Sequence, residues 1–483
     1  MNREDGMARM GWIRMAAALA LGLVARAGAT GEPIWKFFAD FGVTVVEPIA
    51  DATGNGGMDA LVGSQDDSLY LVEARGAGAG KQVWSAAFRS TLSSATGLPD
   101  LNGDGKPEAA GGDELGLIAV LNGADGKPLW KFLTFGTVLS LAALPDADGD
   151  GAADLGVGSE NDTVYCLSGK PGSALGKSIW EFAVPAGKKG GPPGDIPKPG
   201  APKIAAAQPP KDGPVGANSL SWLRGKDGAP FGLAVGTSAD TVYCLALANG
   251  AVKWKTGLPG DIWKTSAFPD MDGDGVDELL LACGANAGYL LSGATGAVIW
   301  SHAVALGAAS VAAAADMDGD GKPDALIGDG NGTVHCVSGT AKGAAPAVWT
   351  YSFGDTSTII TVASPGDVDK DGRADCVVGT SGDTAALISG KGARLFATGL
   401  GGQVTSVRAM GDIDGNGVPD WIAGTEMGFA QSLSGGGTGV FVRSPGSPRP
   451  ASRMARQGGL ILFARPGSPL RVFDAGGRIP AAR

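Results

Sequence analysis

A nine-residue acidic pattern returns along this chain and restricts its folding more than any other feature. The clearest copy is Asp146-Ala147-Asp148-Gly149-Asp150-Gly151-Ala152-Ala153-Asp154. A short apolar segment closing on glycine follows, Leu155-Gly156-Val157-Gly158, and then an alternating stretch, Thr163-Val164-Tyr165-Cys166-Leu167. After a Ser168-Gly169 turn comes a segment centred on tryptophan, Ile179-Trp180-Glu181-Phe182. One more apolar segment precedes the next acidic copy. The unit therefore reads as four short strands separated by Gly, Asn and Asp turns.

Copies of the pattern begin at Asp51, Asp100, Asp146, Asp270, Asp316, Asp367 and Asp412. From Asp270 to Asp412 there are three steps across 142 residues, about 47 each, which is the spacing of propeller blades. The long gap between Asp146 and Asp270 hides a degenerate unit, marked by Val242-Tyr243-Cys244-Leu245 and Lys253-Trp254. There Arg224-Gly225-Lys226-Asp227-Gly228 replaces the acidic loop. The expected fold is all-β: a β-propeller of about eight four-stranded blades, with seven as the alternative. Trp35, Trp84, Trp130, Trp180, Trp254, Trp300 and Trp349 fall in equivalent outer strands, with Phe396 in the seventh unit. These rings are expected to wedge between blades; a ligand-stacking ladder is the alternative. Trp35 precedes the first acidic loop, so its strand is expected to pair with the last blade and close the ring, removing bare edges.

The first 29 residues read as a signal peptide. Arg3, Arg9 and Arg14 precede an 11-residue apolar run, Met15 to Ala25, and Ala27-Gly28-Ala29 gives a small-residue cleavage pattern. The run is short against the roughly 20 residues needed to span a bilayer. An exported protein is expected, periplasmic, cell-surface or secreted, with no integral membrane segment after cleavage. The propeller is expected over residues 30–440. Within it, 183–216 holds nine prolines and five lysines, a solvated insertion. Residues 441–483 carry eight arginines and a single acid, Asp474; Leu460–Phe463 and Leu470–Phe473 are candidate closing strands. Three of the five cysteines share one local context, Val164-Tyr165-Cys166, Val242-Tyr243-Cys244 and Val334-His335-Cys336, and read as small buried residues instead of a disulfide frame.

The pattern Asp-x-Asp-x-Asp-Gly-x-x-Asp suits a hard cation. Calcium takes six to eight oxygens at about 2.3–2.6 Å, which side chains at positions 1, 3, 5 and 9 supply when the backbone curls. Glycine at position 6 permits the turn. Complete sets are Asp146, Asp148, Asp150 and Asp154; Asp270, Asp272, Asp274 and Glu278; Asp316, Asp318, Asp320 and Asp324; and Asp367, Asp369, Asp371 and Asp375. Asp100, Asn102, Asp104 and Glu108, and Asp412, Asp414, Asn416 and Asp420, each include one amide. Asp51, Thr53, Asn55 and Asp59 hold two carboxylates and make the weakest set. Several Ca²⁺ ions are therefore expected, and the lack of imidazole or thiolate disfavours zinc and copper. The charge agrees: removing residues 1–29 takes away four arginines and two acids, so the formal charge moves from -11 to -13. Seven Ca²⁺ would add 14.

The loops resemble the FG-GAP repeats of integrin α-chain-like propellers, over about residues 33–440, with the nonapeptide carrying the resemblance. It implies calcium at the blade loops and a role in adhesion or ligand binding. Val157-Gly158-Ser159 and Val378-Gly379-Thr380 stand where that family carries Gly-Ala-Pro. Ser292-Gly293-Ala294-Thr295-Gly296-Ala297-Val298-Ile299-Trp300 and Gly123-Ala124-Asp125-Gly126-Lys127-Pro128-Leu129-Trp130 are similar to the tryptophan repeats of quinoprotein-type propellers. No nucleophile, zinc or phosphate-loop motif occurs. His302 and His335 read as packed strand residues. The expected role is a scaffold or adhesion module for a protein or polysaccharide ligand, with no nucleic acid and no catalysis. A funnel enzyme of quinone-dependent dehydrogenase or polysaccharide-lyase type is the alternative.

Overall fold

The computed structural model describes residues 33–170, 172–185, 216–354 and 357–436, together with the backbone of three short strands beyond them. The signal-peptide segment lies outside the described residues, as does most of the proline-rich insertion. Eight four-stranded antiparallel sheets form the propeller. Blade 1 consists of Val43–Ile49, Asp59–Ser64, Ser68–Val72 and Gln82–Ala87, from innermost to outermost strand. Blade 2 runs from Leu92–Leu98 to Pro128–Leu133, blade 3 from Val138–Leu144 to Ser178–Ala183, and blade 4 from Ala217–Arg224 to Val252–Gly257. Blade 5 runs from Ile262–Phe268 to Val298–Ala303, blade 6 from Ala308–Ala314 to Trp349–Ser352, and blade 7 from Ile359–Gly366 to Arg394–Gly399.

Blade 8 takes Val404–Gly411, Asp420–Thr425 and Phe429–Leu433 from the end of the ring and Pro33–Phe38 from its start. Trp35 pairs with Ser432 and Phe37 with Ala430, antiparallel. The closure inferred from Trp35 is therefore the one found. Thr405 Oγ1 adds a bond of 2.8 Å to the carbonyl of Val43, joining blade 8 to blade 1 along the inner strands. Thr44 and Ser93 make the same inter-blade bond to Leu92 and Val138, each 2.6 Å.

The second strand of every blade is buried along its length, as in Asp154–Ser159 and Asp324–Asp329. Sheets covered on both faces need apolar residues at consecutive positions, which is why these segments lack alternation. Their recurrent glycine admits the next blade. A Cβ on Gly328 would stand 2.4 Å from Ile359 of blade 7, and one on Gly112 would stand 2.4 Å from Val138 of blade 3. The cores are correspondingly inter-blade: Trp130 of blade 2 packs in one cluster with Leu155, Val157 and Leu167 of blade 3.

Two outer edges are covered by the following blade. Gly343–Ala344 lies parallel to Trp300 and Ser301, and Lys131 of blade 2 bridges to Leu175 of blade 3. The five cysteines are buried and free. Beyond the ring, Ala455–Gln457, Leu460–Phe463 and Arg471–Phe473 form a three-stranded antiparallel sheet of their own.

Candidate metal centres

Each acidic loop connects the first and second strands of a blade, and its nine positions repeat the same hydrogen bonds. The carboxylate at position 1 accepts the N–H of position 6 in all seven loops, at 2.8 to 2.9 Å. It also accepts the N–H of position 4 in six of them, at 2.5 to 2.7 Å. Position 3 accepts from the N–H of position 5: Asp148 from Asp150 at 3.2 Å, Asp272 from Asp274 at 3.1 Å and Asp318 from Asp320 at 3.0 Å. Position 5 accepts from position 7, as in Asp150 from Ala152 and Asp320 from Lys322, both 2.8 Å. These bonds curl the backbone and turn the side-chain oxygens to one centre. Position 6 holds a positive φ, as glycine there requires, for example 87° at Gly151. Position 4 does so too, with 83° at Gly149 and 58° at Lys370, the one non-glycine there. The second glycine was legible in six of the seven copies, and it belongs to the motif.

Position 9 stands apart. Asp59, Glu108, Asp154, Glu278, Asp324, Asp375 and Asp420 open the second strand and are fully buried. Their carboxylates bridge two segments. Asp154 accepts from Ala147 in its loop at 2.6 Å and from Gly169, in the turn between third and fourth strands, at 2.9 Å. Asp375 does the same with Val368 and Gly390, and Asp420 with Ile413 and Gly435. Burial raises these carboxyls above their ordinary range: Asp154, Asp324, Asp375 and Asp420 to about 6, Glu108 and Glu278 to about 7. The exposed Asp146 is instead held low, chiefly by the N–H of Gly151.

The donor sets fit a calcium ion. In the loops of blades 2, 3, 5, 6 and 7, oxygens of three carboxylates lie within 4.8 Å of one another, for instance Asp146, Asp148 and Asp154, or Asp270, Asp272 and Glu278. Oxygens about 2.3–2.6 Å from a common ion can lie up to about 5 Å apart, so the spacing matches. All-oxygen donors in acidic loops suit a hard cation.

The loops differ beyond their ligand count. In blade 1, Asn55 Nδ2 turns to the carbonyl of Arg75 at 3.1 Å, and Thr53 bonds Asp59. In blade 7, Lys391 Nζ contacts Asp371 at 2.8 Å, a cation on a carboxylate of the acidic loop that the sequence pattern did not reveal. In blade 4, Arg224 Nε donates to Asp277 of the blade 5 loop at 2.7 Å, so an ion pair occupies the place of an acidic loop. Outside the loops, His302 and His335 are buried, as expected of strand residues. They also meet across blades 5 and 6, with Nε2 and Nδ1 3.1 Å apart, and His335 Nε2 is 3.4 Å from Asp329. Nothing in their sequence spacing signals this contact.

The family model for FG-GAP-like repeats matches residues 270–327 and 316–378, which contain the complete loops of blades 5 to 7. No curated protein matches the chain. Among solved structures it is similar to Sqt1 of Saccharomyces cerevisiae, with a TM-score of 0.62 at 11% identity over 83% of this chain and 98% of that one. The computationally designed Ika8 protein gives 0.58 at 12% identity over 84% and 100%. BamB from Moraxella catarrhalis gives 0.54 at 13% identity over 83% and 99%. At such identities the likeness is one of fold. The acidic loops, the blade architecture and the family match agree: this chain carries FG-GAP-like repeats on an eight-bladed β-propeller.

Proposed function

We propose that this protein is an exported calcium-binding propeller that presents a rigid surface to a protein or polysaccharide ligand. The observation that carries the reading is the convergence of carboxylate oxygens in loop after loop, each tied to the strands of its own blade. Without cations, several carboxylates within 4.8 Å of one another repel strongly. Calcium in each loop converts that repulsion into a cross-link between the first two strands and the outer turn. Such a ring is stiff, and stiffness lowers the entropic cost of holding a partner. The signal-like N-terminal segment supports export to a compartment where millimolar calcium meets sites of this type. No helix among the described residues is long and apolar enough to cross a membrane.

The test is retention of envelope or matrix components on the immobilised chain, in calcium and after metal stripping. Binding of a protein or polysaccharide that is lost on stripping and restored by calcium supports the proposal. Retention indifferent to calcium, or none from either class of extract, contradicts it.

A further inference from the structure

The eight innermost strands are almost free of charge. Their side chains are mainly Ser, Thr, Ala and branched aliphatics, and the exceptions are Glu47, Lys264, Arg408 and Arg224. Arg224 lies at its strand's end and is taken up by Asp277. The other three belong to the central channel. Arg408 of blade 8 grips Glu47 of blade 1, with Nε at 2.9 Å and the second nitrogen at 2.6 Å from the same oxygen. Lys264 comes from blade 5, across the ring from both.

Lys264 is solvent-exposed although its strand is innermost and its neighbours Ile262 and Phe268 are fully buried. The solvent an innermost side chain reaches is the channel, so the ammonium projects there. It is enclosed enough for desolvation, with the charge of Arg408, to lower its pKa, while Glu47 acts in the opposite direction. Among the described residues it makes no ion pair. Two cations and one carboxylate leave one positive charge uncompensated inside the ring, in a chain of net charge -11. An enclosed charge attracts a counter-charge more strongly than one on an open surface, because its field is focused and less screened.

We propose that the central channel is a binding site for a small oxyanion, a carboxylate above all, held between Lys264 and Arg408. Glu47 orients the guanidinium and restricts the site to a single extra negative group. The site is distinct from the calcium loops and goes beyond the scaffold reading, since it assigns a ligand class to the channel.

Calorimetric titration of the calcium-loaded chain with acetate, and separately with nitrate, tests the assignment. Saturable binding is expected, weakened about tenfold or more by Lys264→Met, the usual loss when a charged hydrogen-bonding partner is removed. Glu47→Gln should instead bind more tightly, a gain that damage to the fold would not produce. If Lys264→Met fails to fold, Lys264→Gln replaces it. Absence of saturable binding of either anion by the parent chain, or unchanged affinity in the Lys264 variant, overturns the proposal.

Discussion

Trp254 of blade 4 donates its indole N–H to the carbonyl of Gly293 in blade 5 at 2.6 Å, and the N–H of the same glycine bonds Glu278 at 3.1 Å. One residue thus joins the wedge between two blades to the buried carboxylate of an acidic loop. Trp130, Gly169 and Asp154 repeat the arrangement between blades 2 and 3. A Cβ at Gly293 would lie 1.8 Å from the carbonyl of Asp277, which explains the Ser-Gly turn of the repeat. Calcium binding should therefore reach the tryptophans. Intrinsic fluorescence is expected to shift when the metal-stripped chain is titrated with calcium, and Trp254→Phe should reduce the shift. That substitution should also cost about 1–2 kcal/mol, for an indole bond lost and a buried carbonyl left unpaired. A calcium-insensitive spectrum would show that loop and wedge are uncoupled.

The pH dependence follows from the buried acids. Their folded pKa values, about 6 for Asp154, Asp324, Asp375 and Asp420 and about 7 for Glu108 and Glu278, lie above ordinary carboxyl values. For such groups the folded state prefers the neutral form. In the stripped protein, their contribution to stability is full below about pH 4 and is lost as pH rises through 6 to 7. Calcium needs the charged form, so its binding releases protons and weakens below about pH 6. The melting midpoint of the stripped chain should fall between pH 5 and pH 8, and the increment from saturating calcium should grow over the same range. A calcium increment independent of pH would count against position 9 as a ligand.

Much of this was legible in the sequence. The repeat gave eight blades, the position of Trp35 gave the closing strand, and the nonapeptide contains the three carboxylates whose oxygens lie together in the loops of blades 2, 3, 5, 6 and 7. Contacts between neighbouring blades were not legible. The meeting of His302 with His335 and the grip of Arg408 on Glu47 depend on how the strands of adjacent blades face one another. Periodicity reports which face of a strand is apolar, whereas these contacts follow from the pitch of the ring.

The loops should rank by carboxylate count. Asp146 opens a set of four carboxylates, whereas Asp51 opens one with only Asp59 beside it, and there Asn55 already turns to Arg75. Asp146→Ala should lose one bound ion and lower the calcium-dependent part of the melting shift. Asp51→Ala should leave both nearly intact at modest calcium, because calcium affinity follows ligand charge. Differential scanning with and without calcium checks this. Equal effects, or the reverse order, would contradict the ranking.

The number of ions bound tests the account most directly. Calorimetric titration of the metal-stripped mature chain with calcium, alongside elemental analysis of the loaded protein, should give six or seven ions per chain, with the blade 1 loop deciding between the two. A count of one or none would mean that the loops are ordinary turns.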